Sequence, residues 1–323
     1  MRALLPVLIK AATVLFAVAV INFMLVHLAP GDPVSVLAGE AGASDEKFVA
    51  QLREQFQLDR PLVVQLGNYL AATATLDLGY SYRQSRPVRD MILERLPATL
   101  ILTLPAFVLA LAGGILLGAL ASRYRGSWLD SLITAASLAF YATPIFWVGL
   151  LLVLAFSVNL GWLPPFGFET MGSMYTGAAR ALDVARHALL PVATLAGFNL
   201  AVYTRLTRAS MNEIQTADFV KTAWAKGLST RRVVWVHQLR NAVLPVITLA
   251  GMQAGQLIGG SVIVETIFAW PGIGRLAFDA LLQRDYPVLL GVFFCTAMVV
   301  VALNLLTDLI YRLIDPRMAG QAS

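Results

Sequence analysis

The sequence predicts an all-α integral membrane protein that crosses the bilayer six times. Three observations carry this. The 323 residues are 58% apolar and only 13% charged, about half the charge of a soluble domain. Charge-free runs near the ~20 residues that a helix needs to span hydrocarbon recur along the chain. The positive excess is confined. Residues 204–241 carry Arg205, Arg208, Lys221, Lys226, Arg231, Arg232 and Arg240 against Glu213 and Asp218, a net +5 that equals the charge of the whole chain. A pI near 9.5 would suit a nucleic-acid partner, but basic residues gathered in one loop between spans follow the positive-inside rule instead. The single cysteine, Cys295, lies in an apolar run, and His27, His187 and His237 fall in separate segments. Neither a disulfide framework nor a metal site is expected from them.

In chain order, the first span is residues 11–29, preceded by Arg2 and Lys10. It is as long as a crossing, so a cleaved leader is not expected. Residues 30–97 form the largest loop, with seven basic and nine acidic residues. Ser44-Asp45-Glu46 is placed to cap a helix striped by Phe48, Leu52 and Phe56, and Pro61 to start a second. Residues 76–88 read as turn and extended chain, and 88–96 as an amphipathic helix. The second span is 98–122 and the third about 132–158, kinked at Thr143-Pro144 because proline removes a backbone bond. Gly161-Trp162-Leu163-Pro164-Pro165 begins a loop. Spans four, five and six are 188–204, 241–264 and 286–307. Loop 122–130 holds Arg123 and Arg125 and alternates with the basic loop 204–241, which puts both on the cytoplasmic side with the termini and puts 30–97 outside. The chain thus divides into 1–29, 30–97 and a five-helix core 98–323 that contains loop 204–241.

Inside that loop Asp218 is placed as an N-cap, with its charge at the positive end of the helix dipole. Gly227 is placed to end the helix in the left-handed conformation. A short helix held at a membrane surface by two spans is a handle for another protein; a basic loop that only fixes topology is the plainer reading.

No site for ATP is visible. Of four lysines only Lys221 precedes Ser or Thr, and Val220 stands where a P-loop has glycine. Protease and esterase signatures are absent as well, so the chain is not expected to be an enzyme. Gln253, Gln256, Gly260 and Glu265 in span five, and Asn304 and Asp308 with Thr296 and Thr307 in span six, fall at helical steps. Polar groups in hydrocarbon face protein or a water-filled cavity, so these residues are candidates for a pathway lining; interhelical hydrogen bonding would use the same residues. Trp270-Pro271-Gly272-Ile273-Gly274 cannot continue a helix and is too apolar for a solvated loop, which suggests a segment folded back onto the bundle mouth.

The run AWAKGLSTRRVVWVHQLRNAVLPVITLAG resembles the cytoplasmic coupling loop of ABC-type peptide permeases, the importers of dipeptides and oligopeptides. HLAPGDPV, LDLGYSY, ATPIFWVG, ETIFAWPGIGRL and NLLTDLIYRLIDPR follow at family-like spacing, so the resemblance covers nearly the whole chain. It implies a helix at Asp218–Gly227 that docks on an ATPase, with Ala223, Lys226, Gly227, Leu228, Arg231, Arg232 and Arg240 in the coupling set. It also places Trp270, Pro271, Gly272 and Gly274 beside an external gate. The wider importer pattern EAA-x3-G reads Lys221-Thr222-Ala223 here, so a glutamate contact to the ATPase does not carry over.

The resemblance implies a second homologous permease subunit, two ATPase subunits holding ATP and Mg, and an external solute-binding protein, around a chain that itself binds no cofactor, contacts lipid and binds no nucleic acid. Peptides are the expected cargo, and glutathione and nickel chelates are carried by similar permeases. The competing classes are an ion-coupled carrier that uses Asp308 and Glu265, and a membrane scaffold without transport.

Overall fold

A computed structural model describes residues 5–28 and 60–314. The helix expected around Phe48, Leu52 and Phe56 lies outside the described residues. The elements are α1 (Leu5–Leu28), α2 (Leu62–Ala74), a hairpin of β1 (Tyr80–Ser81) and β2 (Arg86–Pro87), α3 (Val88–Arg123), α4 (Trp128–Ala142), α5 (Ile145–Leu152), α6 (Gly177–Ile214), α7 (Asp218–Ala225), α8 (Thr230–Arg232), α9 (Leu239–Ala254), α10 (Gln256–Ile267), α11 (Ile273–Leu282) and α12 (Tyr286–Ile314). Two π-helical turns, Val153–Asn159 and Val233–Gln238, continue α5 and join α8 to α9. Among the described residues, four helices are long and apolar enough to cross a membrane, and five if the bent pair α4–α5 counts as one.

Several elements differ from the sequence expectation. Pro97 and Pro105 lie inside α3 without ending it, so the expected amphipathic helix and second span are one helix of 36 residues. α6 runs to Ile214 rather than stopping near 204. The charges beyond the predicted end are accommodated: Arg205 lies over the Tyr141 ring, 4.2 Å from its centroid, and Arg208 donates through Nε and Nη2 to the two carboxylate oxygens of Asp130, at 2.7 and 2.9 Å. At Thr143-Pro144 the backbone is extended and the helix axes turn by 111°, a break rather than a kink. In the fifth span α9 and α10 meet at Gly255, whose backbone angles stay helical (φ −67°, ψ −31°).

Contacts divide the chain into two units. In the first (Met1–Glu94 with Leu276–Val301) the hairpin is held from inside: Ser81 Oγ donates to Asp285 Oδ2 at 2.5 Å, buried. Gly291 lies so close to Val88 that a Cβ there would come within 2.6 Å of its Cγ1. α1 meets α2 through Phe23 on Tyr69, centroids 5.9 Å apart, and through the His27 and Gln65 side chains at 3.1 Å.

The second unit (Arg95–Arg275 with Ala302–Ser323) is built round α6, which packs on α4, α5, α9 and α10. Its apolar core joins Leu102, Ala106 and Ala110 of α3, Leu195 and Tyr203 of α6, Val246 of α9, and Phe268 and Trp270. α3 approaches α6 over small residues. A Cβ at Gly114 would lie 2.5 Å from Tyr203 Cβ, and one at Gly118 2.5 Å from the Thr204 carbonyl oxygen. Close backbone approach over glycine is how helices gain dispersion energy where lipid offers no hydrophobic drive.

Gly118→Val is expected to destabilise the chain by about 1–3 kcal/mol through overpacking. Gly67→Ala in α2, whose Cβ would meet nothing within 4 Å, should be neutral or stabilising by about 0.5–1 kcal/mol. Thermal unfolding in detergent reads both, and equal midpoints would refute the close crossing.

Candidate functional site

Two segments of the second unit contain most of the residues singled out in the sequence. The first is α7. Ala217 rather than Asp218 is its N-cap; Asp218 is the first helical residue, near the positive helix end, and its carboxylate takes the Lys221 ammonium at 3.1 Å. The helix ends as expected. Gly227 has φ +72°, its N–H donates to the Trp224 carbonyl at 2.9 Å, and the Leu228 N–H reaches the Ala223 carbonyl at 3.3 Å. These paired bonds satisfy carbonyls that a helix end leaves open.

The face presented differs from the one the sequence suggested. Ala223 is 4% exposed and sits with Val220 and Val233 in a small core closed by Ala217 and Leu228. Its small size lets α7 pack down on the π turn Val233–Gln238. The outward side chains are Phe219, 42% exposed, and Trp224, 45% exposed, with Lys221, Thr222 and Lys226 around them. Aromatic side chains are among the residue types enriched in protein interfaces. Periodicity could have found them, since Val220 and Ala223 are three residues apart on one side and Phe219 and Trp224 lie off it. Arg231, Arg232 and Arg240 are exposed.

The second segment runs from the end of α10 to the start of α11. α10 stops with Ala269 at φ +51°, and the Trp270 N–H donates back to the Glu265 carbonyl at 2.8 Å. Trp270 then turns fully inward. Its indole Nε1 donates to the Ala98 carbonyl of α3 at 2.8 Å, and Phe168 meets its ring edge-on at 4.8 Å. The fold-back expected of Trp270, Pro271, Gly272 and Gly274 is therefore present. A strap that the sequence did not reveal ties to it. The Gly167 N–H donates to the Phe268 carbonyl at 2.8 Å, Thr170 bonds the Asp183 carboxylate through N–H and hydroxyl, and Arg180 holds Glu169 at 2.7 Å.

Glu265, a pathway candidate in the sequence, is wholly buried within the second unit. Its Oε1 accepts the Thr99 hydroxyl at 2.9 Å and its Oε2 the Arg275 N–H at 2.9 Å; Ser261 and the Gly274 amide also bond it. A Cβ at Gly272 would overlap the carboxylate, and one at Gly274 would come 2.9 Å from Oε2. Thus both glycines exist for close approach. Gln253 is half-buried; its Oε1 and the Tyr203 hydroxyl find no partner among the described residues. Asn304 is exposed. The side-chain surroundings of Gln256, Gly260 and Asp308 lie outside the described residues.

Residues 114–320 match the family described as binding-protein-dependent transport system inner membrane component, and residues 1–103 match its N-terminal counterpart. A di/tripeptide transport system permease protein, DppB of Pseudomonas aeruginosa, is 41% identical over 322 residues, 95% of each chain. The dipeptide transport system permease protein DppB of Escherichia coli K12 is 39% identical over 317 residues, 93% of each. Among solved structures, an inward-facing MetNI methionine ABC transporter chain aligns with TM-score 0.57 at 17% identity, covering 71% of this chain and 98% of that one; at that identity the likeness concerns fold.

Ala223→Glu would put a carboxylate among Val220 and Val233, a cost of several kcal/mol for an unpaired buried charge. Faster tryptic cleavage at Lys221, Lys226 or Arg231 in the isolated chain is expected, while Phe219→Glu should cleave as the wild type does. Equal cleavage of all three would show that the small core does not hold α7.

Proposed function

The chain belongs to the family of binding-protein-dependent transport system inner membrane components, and we propose that it is the permease subunit of an ATP-driven importer of di- or oligopeptides. The observation that carries the substrate class is the likeness, over about nine-tenths of both chains, to permeases whose names specify dipeptides and tripeptides. The protein is a multi-pass inner-membrane component.

On this reading the chain crosses six times: α1, α3, the bent α4–α5, α6, α8 to α10 as one span, and α12. α7 then faces the cytoplasm with both termini. The partners are a second, homologous permease subunit that completes the pathway, two ATPase subunits that hold ATP and Mg, and an external binding protein that delivers the peptide. Hydrolysis belongs to the ATPases; this chain binds no nucleotide. The ATPase-facing part of α7 is the aromatic pair Phe219 and Trp224 with Lys221 and Lys226, and Gly227 sets the reversal that leads out of it. Arg231, Arg232 and Arg240 supply the cytoplasmic charge. Glutathione and nickel chelates fit the same architecture, and the binding protein chooses among them.

The test is reconstitution. The purified chain alone should not hydrolyse ATP, and with its ATPases and binding protein it should accumulate a labelled dipeptide only when ATP is present. Uptake driven by an ion gradient without ATPases would replace this reading with the secondary carrier. Phe219→Ala and Trp224→Ala should each weaken ATPase co-purification about tenfold or more, as loss of an aromatic anchor does. Thr230→Ala, on the exposed far side of Gly227, should leave it intact. Retention of wild-type association by both aromatic variants would sink the assignment of this face.

A further inference from the structure

The first turn of α11 begins with backbone amides that no helical carbonyl can reach. Here they are taken by side chains from elsewhere in the unit. The Arg275 N–H donates to Glu265 Oε2 at 2.9 Å, and the Ile273 N–H donates to Thr99 Oγ1 at 2.8 Å. The Thr99 hydroxyl, having accepted that bond, spends its one proton on Glu265 Oε1 at 2.9 Å. Amide, hydroxyl and carboxylate form one directed chain from α11 through α3 to α10. A negative group at the start of a helix is favoured by the dipole as well. Glu265, Thr99 and Trp270 are all essentially buried, so water cannot replace a lost bond without first entering.

We propose that Glu265, oriented by Thr99, is the positioning residue of the gate. It holds Trp270–Gly274 folded inward when the transporter idles, and releasing this latch is what opens the mouth. The inference rests on the permease reading above. It makes a chemical demand that a merely structural carboxylate would not. The Arg275 amide can only donate, and Thr99 spends its proton on Oε1, so both carboxylate oxygens act as acceptors in this arrangement. Glutamine has the same shape but keeps one acceptor oxygen; its NH₂ would meet Thr99 only if the hydroxyl turned its proton away, which costs the bond that orients Glu265. At position 99 serine retains the hydroxyl, whereas valine retains only the shape.

The experiment uses the complex reconstituted with its ATPases and binding protein, with the chain in wild-type form or as Glu265→Gln, Thr99→Val or Thr99→Ser. Hydrogen exchange over residues 271–277 reads the latch directly, whatever the cargo. Efflux of preloaded labelled glycyl-phenylalanine without ATP reads the gate. Glu265→Gln and Thr99→Val should raise both exchange and passive efflux about tenfold, the size expected for one lost buried hydrogen bond, while co-purifying with their partners normally. Thr99→Ser should match the wild type. Exchange and efflux unchanged in both disruptive variants would overturn the proposal. So would failure of both to assemble while Thr99→Ser does, since the network would then hold the fold rather than the gate. If the wild-type complex carries no dipeptide but exchange still rises in the two variants, the latch stands and the substrate reading falls.

Discussion

Inside a bilayer no water is at hand to bond a backbone group, so each interruption of a helix must have its freed amides and carbonyls satisfied by the protein. The functional segments of this chain are the places where that demand is met in unusual ways. At Thr143-Pro144 the Thr143 N–H and hydroxyl both return to the Ala139 carbonyl, at 3.0 and 2.7 Å, which satisfies the last two donors before the axes turn. At the end of α10 the backbone uses a left-handed alanine, where glycine would be easier. At the start of α11 it uses Glu265 and Thr99. Glycine and carboxylate are complementary in this last case: Gly272 and Gly274 have no side chains because the carboxylate occupies that space.

The same demand explains why α6 is long and central. Its helix carries Thr194, Thr204 and Thr207, each returning its hydroxyl to the carbonyl four residues earlier at 2.7–2.8 Å. Polar side chains thereby lie inside an apolar core without seeking partners across helices. Arg208 near the end of α6 is answered by Asp130, which also takes the Gly126 N–H at 3.0 Å. The ion pair is therefore part of the turn into α4 as well as a link to α6. Removing one partner of such a half-buried pair costs more than the pair is worth.

What the sequence made legible was what depends on local chemistry. Gly227 at positive φ, Pro61 before α2, the extended chain at residues 80–87 and the fold-back at Trp270 all follow from the residue types at those positions. What it hid depends on partners far along the chain. Glu265 looked like a pathway residue because its periodicity matched Gln253, yet its Thr99 partner is 166 residues away and its other ligands include backbone amides. The end of α6 was misplaced because Arg205 and Arg208 were counted as loop charges, when one stacks on Tyr141 at 4.2 Å and the other pairs with Asp130. Ala223 signals close approach without saying by what, and within the chain its neighbours are Val220 and Val233.

Taken together these placements set how motion at α7 could reach the fold-back. α7 is joined to α6 and to α8 by only a few residues, and Val220 and Ala223 clamp it to the π turn that leads into α9. Close-packed contacts of this kind shift between discrete arrangements rather than stretching. The segment from Thr230 to Ile267 thus carries the support of α7 at one end, through Val233, and the Glu265 carboxylate at the other. Gly255, between α9 and α10, keeps helical backbone angles (φ −67°, ψ −31°). A tilt of α9 that followed α7 would therefore be passed on to α10 and would pull on the Glu265 carboxylate, which the Thr99 hydroxyl and the Arg275 amide hold in place.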